Sequence, residues 1–151
     1  MSKLFIYYSL TGNGDCVADR LSDYGIDVRK IETKNKLPKI FFFKMLVGGF
    51  RTIINYKDNL YEYDKNIDKY DEIIIGSPIW NGSISCPINS LLSELEIVNT
   101  KVSFIFYSGS GTSPKATKIV NKKYNNPSII DLREPLKNND ELDKLKVYEE
   151  M

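Results

Sequence analysis

No histidine occurs in this chain of 151 residues. That absence removes Ser-His-Asp and Cys-His nucleophile schemes, histidine-based zinc sites and any histidine general base. If the protein does chemistry at neutral pH, a cofactor is the expected source of it. Cysteine is nearly as scarce: Cys16 and Cys86 stand far apart with no C-x-x-C spacing. With no secretory segment ahead of the first apolar run, a reducing cytoplasm is the expected location. Long apolar runs are also missing. The most apolar stretch, IFFFKMLVGGF at 40–50, is broken by Lys44 and Gly48-Gly49, whereas a bilayer span needs about 20 apolar residues. Neither sign of charge dominates, since 21 Lys and Arg face 20 Asp and Glu for a net charge of +1. That balance argues for neither nucleic acid nor a membrane surface. There is no internal repeat and no linker, so one domain over residues 1–151 is expected. At 42% hydrophobic residues, it can bury a core without metal or disulfide staples.

What is present reads as alternating strand and helix. KLFIYY (3–8), DVRKI (27–31), EIIIG (72–76), KVSFIFY (101–107) and PSIIDL (127–132) are strand patterns. The third and fourth are nearly continuous Ile, Val and Phe runs, as in strands buried on both faces of a parallel sheet. GDCVADRLSDY carries Val17, Ala18 and Leu21 on one face, with Gly25 as a C-terminal stop. PINSLLSELEIV opens with Pro87 and continues as a stripe of Ile88, Leu91, Leu92 and Leu95. SPKATKIVNKKY places Ser113 as cap and Pro114 in the first turn. The tail repeats Leu142, Leu145 and Tyr148 at helical spacing. Such alternation predicts a doubly wound α/β fold with a parallel sheet and helices on both faces.

In such folds ligands bind beyond the carboxyl ends of the strands. Ser9-Leu10-Thr11-Gly12-Asn13-Gly14 follows the first strand, Ser77-Pro78-Ile79-Trp80-Asn81-Gly82 the third, and Ser108-Gly109-Ser110-Gly111 the fourth. The first is no P-loop, because no Gly-Lys-Ser/Thr stands there. It matches a dinucleotide fingerprint weakly, since Val17 takes the sixth position. A compact phosphate monoester, held by backbone amides and the Ser9 and Thr11 hydroxyls without a cation, suits it best. By itself Trp80 is an ordinary large apolar residue. Set between Pro78 and Asn81-Gly82 at a strand end, it points to stacking on a ligand. Cys86, before Pro87 at a helix start, is read as packing, as is Cys16. Phe41, Phe42, Phe43 and Phe50, with Lys39, Lys44, Arg51 and Lys57, read as core and solvated face, or as a partner- or quinone-facing surface.

Over nearly the whole chain these motifs resemble the flavodoxin-like family of FMN proteins. YYSLTGN is similar to that family's phosphate loop, and YDEIIIGSPIWNGSISCPINSLL to its strand, flavin loop and helix. KMLVGGFRTI resembles a Gly-Gly-Phe segment of one subgroup, and FIFYSGSG fits the third flavin loop. The resemblance implies a five-stranded parallel sheet of order 2-1-3-4-5. It implies FMN phosphate on Ser9, Leu10, Thr11, Gly12, Asn13 and Gly14, and Trp80 against the flavin with Ser77, Pro78 and Ile79 along its wall. The Asn81-Gly82 peptide would lie near flavin N5, free to flip towards the protonated N5 of a semiquinone. Ser108, Gly109, Ser110 and Gly111 would offer backbone donors to the pyrimidine edge. Two departures stand out: Gly14 occupies a position usually held by Thr or Asn, and the third loop has no aromatic residue. Three functions remain open: a flavodoxin-type electron carrier between redox partner proteins, an FMN-dependent NAD(P)H/quinone-type oxidoreductase, and a flavin-free binding or regulatory module. A receiver-type phosphoacceptor is disfavoured, because no acidic cluster follows the first strand.

Overall fold

The computed structural model describes residues 1–34 and 59–149. The aromatic and basic stretch read above, from Lys39 to Lys57, lies outside the described residues, and so does KMLVGGFRTI. Along the chain come β1 (Lys3–Tyr7), α1 (Asn13–Asp23), β2 (Asp27–Lys30), β3 (Glu72–Trp80), β4 (Ser83–Ile84), α2 (Cys86–Glu94), β5 (Lys101–Ser108), α3 (Pro114–Lys123) and β6 (Ser128–Arg133). A 3-10 helix, Asn139–Tyr148, closes the described chain. Five strands pair in parallel in the order β2-β1-β3-β5-β6. Counted alone, they have the expected order 2-1-3-4-5. The short β4, antiparallel to the end of β3, is an addition to the predicted strands.

Period-two alternation divides the central strands between two cores. Leu4, Ile6, Ile73, Ile75, Phe104 and Phe106 pack with Ile88 and Leu91 of α2 and Val120 of α3. Phe5, Tyr7, Ile74, Ile105 and Tyr107 pack on the opposite face, with Val17, Ala18 and Leu21 of α1 and with Leu142, Leu145 and Tyr148. Those last three residues are spaced by three, the repeat of a 3-10 helix, so one line of side chains meets the sheet without the drift of an α-helix. The helical tail is therefore 3-10 in form. α1 stops where Gly25 adopts φ +81. Its N–H reaches the Ser22 carbonyl at 2.9 Å and that of Ile26 reaches Leu21 at 3.1 Å, a Schellman closure. α2 ends at Glu94, short of Val98, although Leu95 remains buried. Ser113 stands at the cap of α3, but its hydroxyl donates to Asp131 of β6 and accepts no helix amide.

Close packing is tightest at Gly76 in β3, where an added Cβ would lie 2.4 Å from Cζ of the buried Phe5 ring. Gly76→Ala is expected to destabilise the protein by about 2 kcal/mol through overpacking, read as a lower urea midpoint. A neutral result would mean that the Phe5 ring moves aside freely.

Candidate functional site

At the carboxyl ends of β1, β3, β5 and β6 the chain surrounds a cleft of about 280 Å³. The first wall is the loop into α1. There Gly12 sits at φ +96, a conformation that favours glycine. Ser9 Oγ accepts the amides of Gly12 at 3.2 Å and Gly14 at 3.0 Å. Asn13 Oδ1 accepts the Leu136 N–H at 3.0 Å, tying the loop to the segment after β6. Gly14 has a steric cause: a Cβ there would lie 2.6 Å from the Tyr107 hydroxyl and 2.9 Å from Ser9 Cβ. That hydroxyl donates to the Tyr8 carbonyl, and burial pushes the phenol well above its ordinary range.

The second wall departs from the expected loop. β3 runs on through Trp80, and Asn81 (φ 51) and Gly82 (φ 77) turn the chain back into β4. Positive φ at both central residues of a two-residue Asn-Gly connection marks a type I′ hairpin. Ser77 is fully buried and does not line the cleft; its hydroxyl meets that of Ser85 at 3.1 Å and accepts the Ser85 amide at 3.2 Å, bracing the hairpin. Trp80 is half-buried and stands edge-on to the Tyr8 ring, with centroids 5.9 Å apart.

In the third loop Ser108 Oγ accepts the Gly111 amide at 3.0 Å, and Gly111 at φ +74 leaves no room for a Cβ against Arg133. Of the residues expected to form the site, the cleft brings together Leu10, Thr11, Asn13, Pro78, Ile79, Trp80, Ser108 and Gly109. Gly12 and Gly14 shape the first loop from behind. Asn81, Gly82, Ser110 and Gly111 are outside its lining. Reading from sequence missed Tyr107, Glu134, Leu136 and Lys137, which line it as well. The rule that pointed to the ends of three strands applied equally to the end of the fifth, and it would have found the last three.

Among the described residues, the ionisable groups in the lining are Tyr107, Glu134 and Lys137. Asp15, at the start of α1, is held away by Tyr7 Oη and Lys30 Nζ, each at 3.0 Å from its Oδ1. Cys86 is buried, and burial raises the Cys16 thiol, whose Sγ lies 3.1 Å from the Asn13 carbonyl.

No family model matches this sequence, and no curated protein matches it. Solved structures do. A candidate flavoprotein from Bacteroides eggerthii superposes with a TM-score of 0.76 at 17% identity, covering 99% of this chain and 98% of that one. A flavoprotein from Lactobacillus acidophilus, solved in complex with FMN, gives 0.67 at 22% identity over 92% and 97%. Flavodoxin 1 from Bacillus cereus gives 0.52 at 12% identity over 98% and 95%. The fold is flavodoxin-like. In a flavodoxin-like sheet of this order, the cleft lies where the loops of the central strands meet, at the switch in winding direction. No helix among the described residues is long and apolar enough to cross a membrane.

Proposed function

We propose that the chain binds FMN non-covalently in this cleft and acts as a flavodoxin-type electron-transfer protein between redox partner proteins. The observation that carries this reading is the convergence of an amide-rich helix start and Trp80 on one cleft of about 280 Å³. The residues fit the group. Among the described residues, the amides of Thr11, Asn13 and Asp15 have no protein acceptor, and they open the positive end of α1. Ser9 Oγ accepts two amides and still has a proton to donate, and Thr11 adds a second hydroxyl. Pro78, Ile79 and Trp80 form an apolar wall suited to a flat aromatic ring. The FMN complex of the L. acidophilus neighbour supports the choice of flavin.

When bound, FMN supplies the redox chemistry that no lining side chain offers. The chain's own part is to bind, orient and exclude water. The Ser9 and Thr11 hydroxyls and the amides of Thr11, Asn13 and Asp15 would hold the phosphate in a loop shaped by Gly12 and Gly14, Trp80 would cover one ring face, and Ser108 and Gly109 would offer backbone groups to the pyrimidine edge.

Trp80 is the only tryptophan, so its fluorescence reports on the cleft directly. Titration with FMN is expected to quench it to a one-to-one endpoint. At 100 times Kd the ligand should add about 2.7 kcal/mol of stability. A protein that shows neither effect is a flavin-free module on this fold, and the reading ends there. A second reading, an FMN-dependent oxidoreductase for a quinone-type acceptor, draws support from Ser108 and Gly109, which line the cleft without an aromatic ring. Turnover of NAD(P)H with a quinone and no added reductase marks that enzyme; a carrier shows almost none.

A further inference from the structure

Among the described residues, Glu134 and Lys137 are the charged side chains of the cleft lining, and they pair at 3.0 Å, Lys137 Nζ to Glu134 Oε1. Their segment is held in place by the two neighbouring loops. The Leu136 N–H donates to Asn13 Oδ1 at 3.0 Å, and the Glu134 N–H donates to the Ser108 carbonyl at 3.0 Å. Glu134 itself sits at φ +39, a conformation that persists only where the surroundings over-determine it. Those surroundings are visible: the Glu134 carbonyl accepts the amides of Lys137 and Asn138, both at 2.9 Å. Backbone contacts therefore set where Lys137 starts, and only its stem is free.

That starting point is the phosphate end of the cleft. Leu136, the preceding residue, bonds to Asn13 and lies with Cδ2 3.1 Å from where a Cβ on Gly12 would be. The loop into α1 contributes no cation of its own, and its one carboxylate, Asp15, is engaged elsewhere. An exposed ion pair such as Glu134–Lys137 is weak and readily exchanged for another anion, and lysine offers a point charge on a flexible stem.

We propose that Lys137 is the residue by which this cleft selects a phosphorylated ligand over its dephosphorylated form, with Glu134 as the competing anion that moderates it. The proposal rests on the FMN reading. On binding, the ammonium is shared between the Glu134 carboxylate and the phosphate, so the two substitutions act with opposite sign. Lys137→Gln is expected to raise the Kd for FMN about fivefold at low salt, the scale of one exposed charge contact, and to leave riboflavin unchanged. Glu134→Gln, which keeps the size and the backbone of the residue, is expected to tighten FMN about twofold, from the same scale. The salt dependence of FMN binding should flatten in Lys137→Gln.

Quenching of Trp80 by FMN and by riboflavin measures all of these constants without any turnover. Equal losses for both flavins in Lys137→Gln would overturn the proposal, since a merely structural residue behaves that way. So would weaker FMN binding in Glu134→Gln. If the unsubstituted protein binds FMN but Lys137→Gln binds it equally well, the inference fails and the FMN reading stands. If the unsubstituted protein binds neither flavin, both fall.

Discussion

Gly14→Ala is expected to destabilise this protein by about 2 kcal/mol, although it replaces glycine in a helix. In the first turn of an exposed helix the same change would be neutral or would gain up to about 1 kcal/mol from propensity. Here the new methyl meets the Tyr107 hydroxyl at 2.6 Å, Ser9 Cβ at 2.9 Å and Tyr107 Cζ at 3.0 Å. All three belong to buried or anchored groups. Tyr107 is 2% exposed and its hydroxyl donates to the Tyr8 carbonyl, so it cannot withdraw without losing a buried hydrogen bond. Ser9 is held by the Gly12 and Gly14 amides, so pushing it away also opens the phosphate loop. FMN binding should fall together with stability. Tyr107→Phe alone is expected to cost about 1 kcal/mol for the lost hydrogen bond. The double variant should cost less than the sum of the two single changes by about 1 kcal/mol, because the hydroxyl that the new methyl strikes is gone. Urea unfolding of the four proteins measures that coupling. Strict additivity would show that Tyr107 is not what keeps position 14 free of a side chain.

Trp80→Ala is expected to raise the Kd for FMN about thirtyfold, or about 2 kcal/mol, the scale of one aromatic stacking platform. Trp80→Phe should retain most of the affinity, because a ring face remains. Calorimetry is the suitable readout, since both variants remove the fluorophore. The argument requires that the loss come from the ligand and not the fold. Trp80 is half-buried at the last position of β3, with its ring at right angles to that of Tyr8, and the hairpin beyond it is held independently by Ser77 and Ser85. The unliganded Trp80→Ala protein should therefore unfold within about 1 kcal/mol of the parent. Unchanged affinity would place the flavin ring away from this wall.

Several features are legible in the sequence because their causes are local. Ile73–Ile75 and Phe104–Phe106 belong to strands buried on both faces, and an unbroken apolar run is the direct signature of that burial. Gly25 closes a Schellman turn, because positive φ is tolerated by few residues and those residues are visible one letter at a time; Asn81-Gly82 carries the same mark, but the hairpin it closes is expected from the sequence only as a loop. The three-residue spacing of Leu142, Leu145 and Tyr148 fits an α-helix and a 3-10 helix alike, and the sheet beneath it selects the second. Contacts between distant parts of the chain leave no such mark. By sequence Gly14 is a missing hydroxyl; the folded chain puts the Tyr107 phenol in that space. Ser77 has the composition of a loop residue and is a buried brace, since β3 continues past it. Lys137 reaches the cleft because Leu136 bonds to Asn13, 123 positions earlier in the chain. Local pattern determined the five parallel strands and the stop of the first helix, while the order of the strands came from the family resemblance. Which side chains share the cleft was decided by tertiary packing, because the strand ends that build it are neighbours in the sheet and remote along the chain.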